Sequence, residues 1–114
     1  MNTVPFPAMK RPLIAILRGL KPVEAEGVVS VLIEHGMTAI EIPLNSPDPF
    51  RSIEIAVKKA PRGILVGAGT VLTPLDVERL HDVGGRLMVS PNVDPEVIAN
   101  SRTRQVLQAQ VGRG

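Results

Sequence analysis

The sequence contains no cysteine, tryptophan or tyrosine, and its only aromatic residues are Phe6 and Phe50. Without thiols there can be no disulfide, thiolate metal site or cysteine nucleophile, and the compartment is left open. Two phenylalanines do not make a platform for stacked bases, so no nucleic-acid partner is expected. The longest apolar runs, near Leu13–Leu17 and Ile64–Ala68, fall far short of the roughly 20 residues that a membrane helix needs, so no membrane partner is expected. The N-terminus lacks the apolar core of a signal peptide, and a cytoplasmic protein is the default expectation.

What remains is a chain of 114 residues, 44% hydrophobic and 21% charged, the profile of one small globular domain. Its net charge of +2 is unevenly spread: residues 102 to 114 carry Arg102, Arg104 and Arg113 and no acid. Without those three arginines the acids outnumber the bases by one.

Apolar runs rich in strand formers alternate with helical spacing. "PLIAIL" (12–17) reads as the first strand. Pro22 suits the first turn of a helix, and Gly36 its stop. "TAIEIPL" (38–44) is the second strand. Phe50, Ile53 and Val57 mark a second helix closed by Lys58 and Lys59, whose charges suit the negative end of its dipole. "ILVGAG" (64–69) is the third strand. Thr73-Pro74 reads as a cap and first-turn proline, opening a helix that runs to about Asp82. "RLMVSP" (86–91) is the fourth strand, and Asp94-Pro95 repeats the cap-proline device for a fourth helix. Strands apolar on both faces, alternating with helices, predict a parallel α/β sheet covered by helices. An open doubly wound sheet and part of a (β/α)8 barrel both fit this order.

In either architecture the functional end lies beyond the carboxyl ends of the strands. Glu41 is the outstanding residue there, a carboxylate inside an apolar run. Alternation sets Ile40, Ile42 and Leu44 on one face and Ala39, Glu41 and Pro43 on the other. Burial would raise its pKa, as a general acid/base requires; a structural carboxylate, paired with Arg18 or capping a neighbouring helix, is the competing reading. Arg18, at the end of the first strand, can grip a carboxylate or phosphate with two parallel bonds, or be an ordinary surface arginine. Thr70 closes "GAGT" either as a ligand hydroxyl or as a turn residue. The dinucleotide pattern G-x-G-x-x-G fails because Leu72 stands at its last position. His35 and His81 fall at helix C-termini, where they favour the dipole. Neither Ser46 nor Ser90 has a histidine within reach, which argues against a hydrolase triad. No metal-ligand cluster is visible, and no cofactor is implied.

"PLIAILRG", "AIEIPLNSP", "VGAGTVLTP" and "MVSPN", in this order and spacing over residues 12 to about 98, resemble the 2-keto-3-deoxy-6-phosphogluconate / 2-keto-3-deoxy-6-phosphogalactonate (KDPG/KDPGal) aldolase family. The "EIPLNSP" form is most similar to the phosphogalactonate branch. The resemblance implies a (β/α)8 TIM barrel, with about its first four βα units present. It implies class I cleavage of 2-dehydro-3-deoxy-6-phosphogalactonate to pyruvate and glyceraldehyde 3-phosphate through a Schiff base. By that resemblance Glu41 matches the proton-shuttling glutamate. Arg18 and Thr70 match positions near the carboxylate end of the phosphorylated keto-acid substrate, and Pro91 matches the pocket wall. Full-length members are expected to be homotrimers.

The family's Schiff-base lysine belongs to the sixth strand. Lys10, Lys21, Lys58 and Lys59 are the only lysines here, and none fits that role. Residues 1–100 are therefore expected to form the N-terminal half of an aldolase barrel, inactive alone. Residues 101–114, without clear alternation, are expected to be an off-pattern basic tail, frameshifted or disordered. The alternatives are a non-catalytic half-barrel that binds small anions or pairs with a complementary half, and a different phosphosugar-handling barrel enzyme.

Overall fold

The computed structural model describes residues 14–71, 73–90, 99 and 107–110. The elements are β1 (Ile14–Ile16), α1 (Pro22–Glu34), β2 (Ala39–Pro43), α2 (Pro49–Lys59), β3 (Leu65–Gly69), α3 (Pro74–Asp82), β4 (Leu87–Ser90) and β5 (Leu107–Gln110). Up to β4 these follow the spans read from the sequence to within a few residues at each end.

Local chemistry accounts for the helix boundaries. α1 opens at Pro22, and the Glu24 carboxylate turns back to accept the Lys21 backbone N–H at 2.9 Å. Beyond its end Gly36 takes a φ of +89°, which a side chain would resist. α2 starts at Pro49 and carries Lys58 and Lys59 in its last turn. At α3 the Thr73 hydroxyl accepts the Asp76 N–H at 3.1 Å, with Pro74 directly behind it. Arg79 of α3 stacks 4.3 Å from the Phe50 ring centroid of α2, a contact of the ~0.5–1 kcal/mol kind at exposed sites.

The strands form one parallel sheet in the order β1-β2-β3-β4-β5, with no reversal. In register, Ile16 stands beside Glu41, Glu41 beside Gly67, and Gly67 beside Leu87. These residues share one face, and Ile40, Ile42, Val66, Ala68 and Met88 share the other. That second face packs against Ala25 and Val29 of α1, Ile53 and Ala56 of α2, and Val77 and Leu80 of α3, forming one buried core. A doubly wound sheet would distribute helices over both faces. Here all three described helices cover one, so the structure is a half-barrel. Burying each large apolar side chain stabilises the fold by roughly 1.5–3 kcal/mol. The concave face is open at its first strand, where Ile14 is 44% and Ile16 49% exposed.

The tail differs from expectation. Leu107–Gln110 is a strand, paired in parallel with β4 from Leu87↔Leu107 to Ser90↔Gln110. Its four residues are too few and too polar to announce a strand. The edge of β4 supplies hydrogen-bonding partners that propensity does not register. Of the expected fourth helix only Ala99 is described, and it is helical; Pro91 lies outside the described residues. No helix among the described residues is long and apolar enough to cross a membrane.

Candidate functional site

The carboxyl ends of β1 to β4 surround a cavity of about 380 Å³. Arg18, Glu41, Asn45 and Thr70 form its polar lining, and Ile16, Pro43 and Val89 its apolar lining. Three of the four residues expected at the site are thus brought together from three separate strand ends. The fourth, Pro91, lies outside the described residues. Asn45 was not singled out, although it stands at the end of the second strand four residues after Glu41.

Glu41 is at the centre of β2, on the face away from the helices, and only 4% of it is exposed. Its backbone carbonyl accepts the Leu17 N–H at 2.9 Å, which ties the end of β1 to β2. Its backbone pairs in register with Gly67, yet its carboxylate abuts Gly69, two residues further on. The side chain therefore leans towards the carboxyl ends of the strands. A Cβ at Gly69 would overlap the carboxylate, so the bare glycine backbone makes the space that the acid fills.

Two opposing effects act on its proton. Burial removes water from the carboxylate and raises the pKa above the ordinary 4.5, while the positive charge of Arg18 lowers it; burial is the larger, and the net direction is upward. Arg18 is held just after β1 in an exposed turn. Thr70 follows β3 with a φ of +57°, an unfavourable backbone for a β-branched residue. Neighbouring bonds hold it there: Leu44 N–H to Gly69 O at 2.9 Å and Val71 N–H to Val89 O at 3.4 Å. Strain of about 1–3 kcal/mol at such a position is found where surrounding structure over-determines the backbone, often at sites.

Among the described residues no lysine lines the cavity. Lys21 caps α1 on the exposed side of the first loop, and Lys59 reaches Glu26 at 3.5 Å on the outer surface. His35 ends α1, with Nδ1 2.8 Å from Val31 O, and His81 lies in the last turn of α3, both away from the cavity. Among the described residues no group of three or more His, Asp or Glu could hold a metal ion.

The raised pKa of Glu41 has a consequence for stability. The folded chain holds this proton more tightly than the unfolded chain does. Between the ordinary glutamate value of 4.5 and the raised one, folding therefore takes up a proton, and stability falls as pH rises through that window. Glu41→Gln removes that dependence. The variant is expected to melt higher than the unsubstituted chain at neutral pH, with the gap closing below pH 4.5; thermal melts across pH check it.

The family model described as "Aldolase: KDPG and KHG aldolase" matches residues 8–109. A Rhizobium meliloti (strain 1021) protein named "Probable 2-dehydro-3-deoxy-6-phosphogalactonate aldolase" is 74% identical over 104 residues, which cover 91% of this chain and 49% of that protein. The Escherichia coli (strain K12) "2-dehydro-3-deoxy-6-phosphogalactonate aldolase" is 49% identical over 89 residues, covering 78% of this chain and 43% of that protein. A solved structure described as "Native KDPGal structure" superposes with a TM-score of 0.84 at 43% identity, over 90% of this chain and 50% of that one. The chain spans about half the length of these relatives, and the family match runs past residue 98, the end of the stretch that carries the four linked motifs.

Proposed function

The chain belongs to the KDPG and KHG aldolase family, and we propose that it supplies the proton-handling and carboxylate-gripping half of a class I aldolase site. The complete enzyme would act on 2-dehydro-3-deoxy-6-phosphogalactonate, giving pyruvate and glyceraldehyde 3-phosphate. The single observation that carries this reading is the buried Glu41 carboxyl, with its raised pKa, in the same cavity as Arg18. In this chemistry a lysine amine condenses with the keto carbon and releases water. The resulting iminium accepts the electron pair of the breaking carbon–carbon bond, and the substrate hydroxyl loses its proton as the aldehyde forms. Glu41 takes that proton and returns one to the enamine carbon. Arg18 grips the keto-acid carboxylate, with the Thr70 hydroxyl beside it. Pro91, outside the described residues, enters this reading only through its match to the family's pocket wall. The same reading carries a cytoplasmic location and, for full-length members, a homotrimer.

The absence of a lysine among the described cavity residues favours a second reading of the isolated chain: a half-barrel that binds small carboxylates without turning them over. Both parts are tested by adding pyruvate to the chain. Saturable shifts of the Arg18, Glu41 and Thr70 amide signals are expected, weakened at least about tenfold by Arg18→Ala, the scale for a lost charge-assisted bond. Borohydride reduction is expected to leave the protein's mass unchanged. A lack of saturable shifts would defeat the binding half of the proposal. A stable mass increase at a lysine would defeat the assignment of the nucleophile to another part of the barrel.

A further inference from the structure

Ser46 follows directly after Asn45 but is not itself part of the cavity lining. It is 6% exposed, and its hydroxyl accepts the Gly19 N–H at 3.2 Å across 27 residues of chain. Its own N–H donates to Pro43 O at 3.0 Å, closing the turn that presents Asn45. Arg18 and Gly19 are the central pair of a second turn, closed by Leu20 N–H to Leu17 O at 3.4 Å. That turn is anchored at its ends, by the bond from Leu17 to β2 and by the buried Leu20. Its middle is exposed. Gly19 sits at φ +75°, the glycine position of a turn whose central peptide the closing bond does not hold. The Ser46 hydroxyl is the contact that holds it.

We propose that Ser46 is a positioning residue: by fixing the Arg18–Gly19 peptide against the loop after β2, it holds the Arg18 guanidinium at the Glu41 side of the cavity. The inference rests on the proposed roles of Arg18 and Glu41, and it deepens them. Removing the hydroxyl frees the middle of the exposed turn. The arginine then samples positions further from the carboxylate, and its electrostatic pull weakens. Among the described residues Arg18 is the charged group that acts on the Glu41 proton, so the arginine's position is readable without any substrate.

The test is a double-mutant cycle on the full chain, read by the ¹³C titration of the Glu41 carboxyl and by amide exchange at Gly19. In the unsubstituted chain the Gly19 amide is expected to exchange about tenfold more slowly than an unbonded one, a readout that needs no variant to fold. Ser46→Ala is expected to abolish that protection and move the Glu41 midpoint upward. Arg18→Ala is expected to move it further in the same direction, and adding Ser46→Ala to Arg18→Ala to move it no more. An unprotected Gly19 amide overturns the proposal. So does an unmoved midpoint in Ser46→Ala, or an equal shift with and without Arg18. Failure to bind pyruvate, with the cycle intact, would instead count against the proposed function.

Discussion

Gly67→Ala is expected to cost the fold about 3 kcal/mol or more, the upper end of what overpacking a core does. A Cβ at this position would overlap the Leu87 carbonyl and lie 2.7 Å from the Leu87 Cβ. The obstacle is the backbone of the neighbouring strand, so relief requires β3 and β4 to part. Gly69→Ala, two residues away, meets a different obstacle, the end of the flexible Glu41 side chain. A rotamer change relieves it, at about 0.5–1.5 kcal/mol. The two glycines thus separate stability from site geometry. Urea melts are expected to show a large loss for Gly67→Ala and a small one for Gly69→Ala. The Glu41 titration is expected to move in Gly69→Ala, because the carboxylate leaves its place. Equal losses in the two variants would contradict this reading of β3.

The second large effect concerns the two faces of the sheet. Ile40→Ala is expected to destabilise by about 2–5 kcal/mol, because it opens a cavity in the core between sheet and helices. Ile16→Ala is expected to cost less than about 1 kcal/mol, since half of that side chain already meets water. Ile40 is fully buried and Ile16 is 49% exposed. Both are isoleucines in short parallel strands, so composition does not distinguish them. Denaturant melts of the two variants would. A loss for Ile16→Ala as large as that for Ile40→Ala would mean that the concave face is closed in solution, by a second copy or a complementary half.

How much of this was legible in the sequence depends on the range of the interaction. Thr73-Pro74 marks the start of α3 because a cap and a first-turn proline act within four residues. Gly36 marks the end of α1 for the same reason. The facing of Glu41 follows from alternation alone, since a strand has a period of two. Periodicity could not decide between a doubly wound sheet and a barrel, because it does not say on which side of the sheet a helix falls. The packing of α1, α2 and α3 against the Ile40 face decides it. β5 was missed because "LQAQ" becomes a strand through its pairing with β4, which no local pattern encodes. In the sequence Ser46 presents itself only as a nucleophile without a histidine, because its bond to Gly19 spans 27 residues. The fit of the Glu41 carboxylate against Gly69 was hidden in the same way, in the register between two strands.

The most direct test of the central claim is the pH titration of the Glu41 side-chain carboxyl carbon in the unsubstituted chain. A midpoint above 4.5 is the expected result. It would establish a carboxyl held ready to exchange a proton at the mouth of the half-barrel. A midpoint at or below 4.5 would mean that Arg18 outweighs burial. Glu41 would then be a structural ion-pair partner, and the proposed proton-handling role would be wrong.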